Sequence, residues 1–259
     1  KRKLLSTVLA EHGSIQADLM WTEQKNEATG TGAATTDART ETYRVRIPID
    51  SCDFSLAHYE ADGEEADENF EHFSFDWYSD TIKNEATGLT ARQTAQRAYD
   101  TAWNFVQDFD SRFQNLFFYG STGVGKTFLS HCIANALLES SHCVLYFSAF
   151  DLFDSMAQTA FSRKSETDPG ENFILDCDLL IIDDLGTELT NSFVSSQLFL
   201  CINERIARRK STVISTNLTL EDFSATYSER TFSRIASNYQ MLKLIGKDIR
   251  IQKIFLGGK

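Results

Sequence analysis

The chain has 259 residues, of which 42% are hydrophobic and 24% are charged, as in a soluble globular protein, and no apolar run approaches the ~18 residues of a membrane-spanning helix. The net charge of −12 excludes binding to nucleic acid through the overall charge, so any such contact must use a local basic face. The five cysteines are an odd number without a C-x-x-C pair, which argues against a disulfide framework or a zinc site and favours reduced thiols in the cytoplasm.

The first part of the chain, residues 1–70, is predicted to be a partly flexible N-terminal extension. The stretch Ala28–Thr42 contains mostly small and polar residues with little to bury, so we expect it to be flexible. The apolar positions between Leu4 and Leu9 fit one face of a small helix. This extension is a candidate partner-binding region, and residues 71–259 form the predicted second domain.

A group of aromatic residues and a helix precede the first predicted strand of that domain. The aromatic residues are expected to pack against a neighbouring domain; they are Phe70, Phe73, Phe75, Trp77 and Tyr78. Thr90 and Gln93 have the spacing of a capping box, and a stripe of apolar residues from Ala95 to Phe109 follows with helical spacing.

A phosphate-binding loop then follows the apolar run Leu116–Tyr119. Residues 120–127 read G-S-T-G-V-G-K-T and match the pattern G-x-x-x-x-G-K-[ST], and Phe128–Leu138 has helical spacing. The glycines allow backbone N–H groups to point at phosphate oxygens, next to the positive end of the helix. A chance match is the alternative, but the context of strand, loop and helix argues against it.

The candidate nucleotide-binding residues belong to this loop and to the start of its helix. They are Gly120, Ser121, Thr122, Gly123, Val124, Gly125, Lys126, Thr127 and Phe128. Lys126 is expected to place a positive charge on the phosphates and is also a candidate catalytic residue. Thr127 has a hydroxyl group suited to Mg²⁺.

Two adjacent acids at the end of a buried strand are the second part of the predicted site. The unbroken apolar run Leu179–Ile182 is typical of a central parallel strand, and Asp183 and Asp184 follow it. Asp183 is expected to hold Mg²⁺ through water, and Asp184 to orient or polarise the attacking water. An ordinary strand that ends in a turn is the alternative, and the upstream phosphate loop makes it the weaker one.

The remaining elements alternate between strands and helices. Strands are predicted at 143–149, 212–216 and 241–245, with a further late strand at 249–255, and a helix is predicted at 193–209. This alternation predicts an α/β fold with a parallel central sheet covered on both faces.

The last sixty residues carry eleven Lys and Arg against five Asp and Glu, a net +6. Their most basic run is Arg205, Arg208, Arg209 and Lys210, for which a solvated helix end is slightly favoured over nucleic-acid contact.

The order of these motifs resembles AAA+ ATPases of the DnaC/DnaI helicase-loader group, with the transposition ATPase IstB as close kin. The resemblance covers about residues 70–253 and is strongest in Asn115–Leu129, Leu180–Glu188 and Gly246–Arg250. It implies a three-layer P-loop fold, binding of ATP with Mg²⁺, and ATP hydrolysis. Only nine residues follow Arg250, which predicts the absence of a full helical lid, so Arg250 is only a candidate for the second sensor arginine.

The resemblance also implies two further catalytic residues. Asn217, after the strand at 212–216, matches the polar sensor of the family; a simple turn is the alternative. Arg234 best matches the arginine that a neighbouring subunit supplies, and Arg230 is the reserve; a salt bridge to Glu229 or Asp248 is the alternative for either arginine. A homo-oligomer with sites between subunits is therefore expected.

The function implied is ATP-dependent loading of a replicative DNA helicase onto single-stranded DNA. Asp184 stands where many AAA+ proteins have Glu, which favours slow, regulated hydrolysis over a fast motor. A helper ATPase that acts with a transposase is the alternative, and a nucleotide-dependent binding protein with negligible turnover is a third hypothesis.

Overall fold

The computed structural model describes residues 3–11, 14–25, 39–48, 68–161 and 174–256. Its main body is a five-stranded, all-parallel sheet with helices on both faces, which confirms the predicted α/β fold. The strands of this sheet are β4 (Leu116–Tyr119), β5 (Val144–Ser148), β6 (Leu179–Leu185), β7 (Ser211–Thr216) and β8 (Gln240–Lys243). The helices are α1 (Ala91–Gln107), α2 (Lys126–Glu139), α3 (Ala149–Phe161), α4 (Ser192–Ala207), α5 (Leu220–Tyr227), α6 (Glu229–Asn238) and α7 (Ile249–Leu256). None of the described helices combines the length and apolar character that crossing a bilayer requires.

The N-terminal part forms a separate antiparallel sheet of three strands. Its order is β1 (Lys3–Glu11), β2 (Ser14–Lys25) and β3 (Arg39–Pro48). The helix predicted around Leu4–Leu9 is therefore wrong, because these residues pair with β2 along a continuous antiparallel register. Of the stretch Ala28–Thr42, the residues from Arg39 onward lie in β3, and the others lie outside the described residues.

The strand order β5-β6-β7-β4-β8 decides which strand ends become neighbours. β7 lies between the strand of the phosphate loop and the strand of the paired acids. Carboxyl ends of parallel strands meet at one edge of the sheet, and ligands bind there in open α/β sheets. The end of β7, followed by Asn217, is therefore placed between the loop and the acids.

The three central strands β4, β6 and β7 are buried on both faces, and alternate residues contribute to different cores. Leu179 and Ile181 of β6 pack on the side of α1 and α2, whereas Leu180 and Ile182 pack on the side of α3 to α6. These four side chains are fully buried. Because side chains on both faces of β6 are buried, every position from Leu179 to Ile182 is apolar, and this run predicted a central strand.

The aromatic group before α1 packs within the same folded body and against the phosphate-loop helix. The Phe73 ring contacts Phe128 with centroids 5.7 Å apart, and Phe70 contacts Tyr99 and Trp103 edge to face. The predicted capping box at Thr90 is present in full. The packed body extends back to Glu68, whose carbonyl oxygen accepts a hydrogen bond from Asn135 of α2 at 3.0 Å, and the division at 70/71 stays a prediction.

The late strand predicted at 249–255 is wrong, because these residues form α7. Asp248 accepts hydrogen bonds from the first free backbone N–H groups of this helix, those of Arg250 and Ile251. The side chains of Ile251, Ile254 and Phe255 have the spacing of one helix face, although they are exposed.

Arg205 does not belong to the basic surface that the sequence indicated. Its side chain is 0% exposed, and its guanidinium donates to the carbonyl oxygens of Ile174, Cys177 and Ser211 and to the Thr212 hydroxyl. The neighbours Arg208 and Lys210 bind the acids that precede β6, Asp176 at 2.6 Å and Asp178 at 2.9 Å. Arg205 is thus not part of the solvated helix end that the sequence favoured, and Arg208 and Lys210 are paired with acids of the same chain.

Candidate nucleotide site

The phosphate loop lies between β4 and α2, as the sequence predicted. Gly123 and Gly125 adopt φ values of +73° and +92°, a conformation that glycine reaches without the steric cost of a side chain. Gly125 is the N-terminal cap of α2 and has no side chain with which to cap it. The N–H groups of the first turn are therefore available to an anion, and the helix dipole favours one.

Lys126 is the centre of the polar contacts in this loop. Its ammonium group donates to the carbonyl oxygens of Gly120 and Ser121, both at 2.8 Å, and to Asn217 Oδ1 at 2.7 Å. Only 4% of the residue is exposed. Burial lowers the pKa of Lys126 to about 8, against the opposing effect of Asp184 and Asp183. An entering phosphate would find this charge already desolvated and directed at the loop.

Asn217 joins Lys126 to Asp184. Its Nδ2 donates to Asp184 Oδ1 at 3.2 Å, while its Oδ1 accepts from the lysine. One amide thus uses both of its functional groups, which an aliphatic side chain of the same size could not do. Lys126, Asn217 and Asp184, the three candidate catalytic residues that belong to the same subunit, are thus connected by consecutive hydrogen bonds.

Asp183 is held by two hydroxyl groups from the neighbouring strands. Ser215 of β7 donates to one carboxylate oxygen, and Tyr146 of β5 donates to the other at 2.9 Å. The residue is 7% exposed and lines the cavity of the site. These contacts fix the rotamer of the carboxylate at the edge of the sheet.

Asp184 interrupts the regular strand geometry. Its φ is +53°, unusual for a residue with a side chain, and the pairing of β6 with β7 shifts register at this point. Its backbone N–H donates to Ser215 Oγ at 3.0 Å. Burial, followed by the charge of Asp183, raises the pKa of its carboxyl group. Backbone strain and a raised pKa are both common in residues that accept protons in catalysis.

The cavity next to these residues has a volume of 370 Å³. Most of the predicted nucleotide-binding and catalytic residues line it: Thr122, Gly123, Gly125, Lys126, Thr127, Phe128, Asp183, Asp184 and Asn217. Gly120 and Ser121 contribute carbonyl oxygens to Lys126 instead, and Val124 is 1% exposed and packs in the core. The loop therefore contributes to the site through its backbone and through the side chains of Thr122, Lys126 and Thr127.

Two groups that hold the loop were not predicted from the sequence. The Tyr78 hydroxyl donates to the carbonyl oxygen of Val124 at 2.8 Å. The backbone N–H of Ile249 donates to the carbonyl oxygen of Gly123, also at 2.8 Å. The sequence indicates Tyr78 only as one member of the aromatic group before α1. The 46 positions between Tyr78 and Val124 leave no local signal, since the contact depends on how the segment before α1 packs against α1 and α2.

Arg230 and Arg234 do not line this cavity. Both lie exposed on α6 and border a second hollow of 230 Å³ with Phe199. The Arg230 guanidinium lies 4.1 Å from the centre of the Phe199 ring, whereas Arg234 makes no salt bridge within the described part of the chain. Neither arginine pairs with Glu229 or Asp248, and Asp248 binds Arg250 instead.

The fold and this cradle define a P-loop nucleotide-binding protein of the AAA+ type. Residues 84–251 match the model of the IstB-like ATP binding protein family, and the chain belongs to this family.

Curated relatives and solved structures agree with this assignment. The replicative helicase loader DnaC of Escherichia coli K12 is 25% identical over 138 residues, which are 53% of this chain and 56% of the relative. The chain thus spans little more than half of the length of this relative. A crystal structure of the DnaC helicase loader has a TM-score of 0.56 at 24% identity and covers 70% of this chain and 98% of its own. AMPPCP-bound DnaA from Aquifex aeolicus has a TM-score of 0.54 at 20% identity, covers 73% of this chain and 54% of its own, and shares the fold.

Proposed function

We propose that this chain binds ATP at the phosphate loop and hydrolyses it. The observation that carries the proposal is the hydrogen-bonded chain from Lys126 through Asn217 to Asp184 at the rim of a nucleotide-sized cavity. Lys126 and the first N–H groups of α2 bind and orient the phosphates. Asp184 accepts a hydrogen bond from the attacking water and acts as the general base that takes a proton from it. Asn217 holds both the lysine and the carboxylate in place.

Mg²⁺ fits the oxygen groups at the edge of this cavity. Among the described residues no cluster of three or more His, Cys, Asp or Glu side chains could hold a metal ion alone. Mg²⁺ seldom needs such a cluster, because it binds one or two protein oxygens together with phosphates and waters. Thr127 and Asp183 would supply these oxygens, and the bound ion would neutralise charge on the β- and γ-phosphates.

The release of inorganic phosphate by the native chain and by site variants tests this proposal. We expect Asp184→Asn to bind ATP and to lower the hydrolysis rate about 100-fold, whereas Lys126→Ala weakens both steps. Asp100→Asn is the matched control, because Asp100 is an exposed acid on α1 that accepts a hydrogen bond from Gln96 and does not line the cavity. A native rate equal to background, unchanged by these variants and by single-stranded DNA, would leave a nucleotide-dependent binding protein as the better hypothesis.

We further propose that Arg234 completes the site of a neighbouring copy in a homo-oligomer. Its exposed position outside the chain's own cavity supports this role, and the stacking of Arg230 on Phe199 makes Arg230 the less mobile of the two. A guanidinium at the transferred phosphoryl group contributes about 10³- to 10⁵-fold in other nucleotide hydrolases.

Mixing two inactive variants tests whether this arginine acts between subunits. We expect Arg234→Ala and Lys126→Ala to be inactive separately and to regain activity when mixed, because some sites then combine an intact lysine with an intact arginine from the other copy. Arg112→Ala, which removes an exposed arginine near the opposite end of the strands, should not need complementation. A mixture no more active than its two components would argue against a site between subunits.

The proposed biological role is the loading of a replicative DNA helicase onto single-stranded DNA. The similarity to the DnaC helicase loader supports it, and the N-terminal extension is the proposed partner-binding region. The family match favours one alternative, a transposition helper that acts with a transposase. Capture of a purified hexameric helicase or of a purified transposase, with and without ATP and single-stranded DNA, distinguishes the two. Retention of only the transposase would contradict the loader role.

A further inference from the structure

Asp248 lies where the phosphate loop meets α7. Its carboxylate occupies the space beside the Cα of Gly123, so that a Cβ at this glycine would overlap it. The next residue fixes this contact, because the backbone N–H of Ile249 donates to the Gly123 carbonyl oxygen at 2.8 Å. A negative charge is therefore held against the loop that is built to receive phosphates.

The same carboxylate binds the guanidinium of Arg250. Asp248 Oδ2 lies 3.3 Å from Arg250 Nη2, and Oδ1 lies 3.4 Å from Nε. Hydrogen bonds from Arg250 hold the pKa of Asp248 below its ordinary value, so the pair is ionic at neutral pH. Arg250 lines the nucleotide cavity, and 69% of its side chain is exposed, so packing does not fix its direction.

An entering nucleotide brings phosphates to the side of this ion pair. Arginine binds phosphate oxygens in the same forked geometry with which it binds a carboxylate, so the two anions compete for one guanidinium. We propose that Asp248 is a positioning residue that holds Arg250 at the edge of the nucleotide cavity and limits ATP affinity by competing with the phosphates. The inference rests on the proposed binding of ATP in this cavity.

Titration of a fluorescent ATP analogue tests the competition. Asp248→Asn removes the charge and keeps a good helix cap, and we expect it to lower the Kd about two- to fivefold, as for release of an exposed ion pair. Asp248→Ser, which also caps helices, should give a similar gain. Each gain should vanish when Arg250→Ala is added, because no guanidinium is then released.

Controls separate this effect from simple charge repulsion. Asp100→Asn removes one negative charge on α1 and should leave the Kd unchanged. An unchanged or weaker affinity in both Asp248 variants, or an equal gain in the Arg250→Ala background, would overturn the inference while the ATP site stands. Failure of the native chain to bind the analogue would overturn both proposals.

Discussion

The ammonium group of Lys126 donates to the side-chain oxygen of Asn217 at 2.7 Å, although 91 positions separate the two residues in sequence. The contact joins the phosphate loop after β4 to the end of β7, the neighbouring strand. Asn217 therefore connects the phosphate loop to Asp184, because the same amide also donates a hydrogen bond to that carboxylate.

Replacement of Asn217 by Ala should impair hydrolysis more than binding. Lys126 keeps its two carbonyl acceptors in this variant, whereas Asp184 loses the donor that orients it. We expect the turnover number to fall about 100-fold, the size of the loss of one well-placed hydrogen-bond donor, with a smaller change in Kd for ATP. Single-turnover hydrolysis and analogue titration measure the two quantities. Asn104→Ala, an exposed asparagine on α1, is the control, and equal losses in both quantities would contradict the assigned role.

ATP affinity should fall as the pH rises above about 8. Burial lowers the pKa of Lys126 to about 8, and the negative charge of a bound phosphate should raise it, so binding above that pH takes up a proton. Affinity is then constant below the lower pKa and decreases by up to about tenfold per pH unit above it. Titrations from about pH 7 to 9.5 test this. Lys126→Ala should bind more weakly with a flat profile, and an equally steep profile in that variant would contradict the assignment to Lys126.

Gly120→Ala should destabilise the fold more than Gly88→Ala. Both glycines have positive φ, at +142° and +71°, but a Cβ at position 120 would overlap the backbone oxygen of Leu244, whereas position 88 has open space. We expect Gly88→Ala to cost about 1 kcal/mol of unfolding free energy and Gly120→Ala several times that. Urea unfolding measures both, and similar costs would show that the contact with Leu244 is readily relieved.

Tyr78→Phe should weaken nucleotide binding although Tyr78 lies outside the phosphate loop. The variant removes the hydrogen bond to the Val124 carbonyl oxygen, and we expect a loss of about 1 kcal/mol in stability together with a higher Kd for ATP. Tyr99→Phe is the matched control, because the Tyr99 hydroxyl donates at 3.2 Å to Phe70, away from the loop. Equal Kd values for the two variants would rule out a special link between Tyr78 and the loop.

Removal of the Arg205 side chain should strongly destabilise the protein. Its guanidinium is fully buried and donates to the carbonyl oxygens of Ile174, Cys177 and Ser211, which would all lose this donor in Arg205→Ala. We expect a loss of about 3–5 kcal/mol in unfolding free energy. Arg208→Ala, which breaks an exposed pair with Asp176, should cost less than about 1 kcal/mol. Similar values would indicate that water replaces the lost donor.

Local patterns in the sequence were sufficient for much of the fold. The apolar runs before Gly120 and Asp183 predicted the two strands, because a strand buried on both faces must be continuously apolar. The capping box at Thr90 predicted the start of α1. Short apolar segments were ambiguous: residues 4–9 form a strand and residues 249–255 a helix, because pairing with β2 and capping by Asp248 outweigh a weak periodicity.

The sequence by itself determined the chemistry of the loop, since glycines, a lysine and a threonine at fixed spacing have few other uses. Only the tertiary structure decided what holds that loop. Tyr78, Ile249 and Asp248 reach it from segments far away in the chain, and no spacing rule encodes such contacts. It also decided the burial of two arginines, since Arg205 is buried in the core and Arg234 is exposed, although both are charged residues on helices. The physical reason is that local patterns limit backbone conformation, whereas burial and pairing depend on which strands and helices become neighbours.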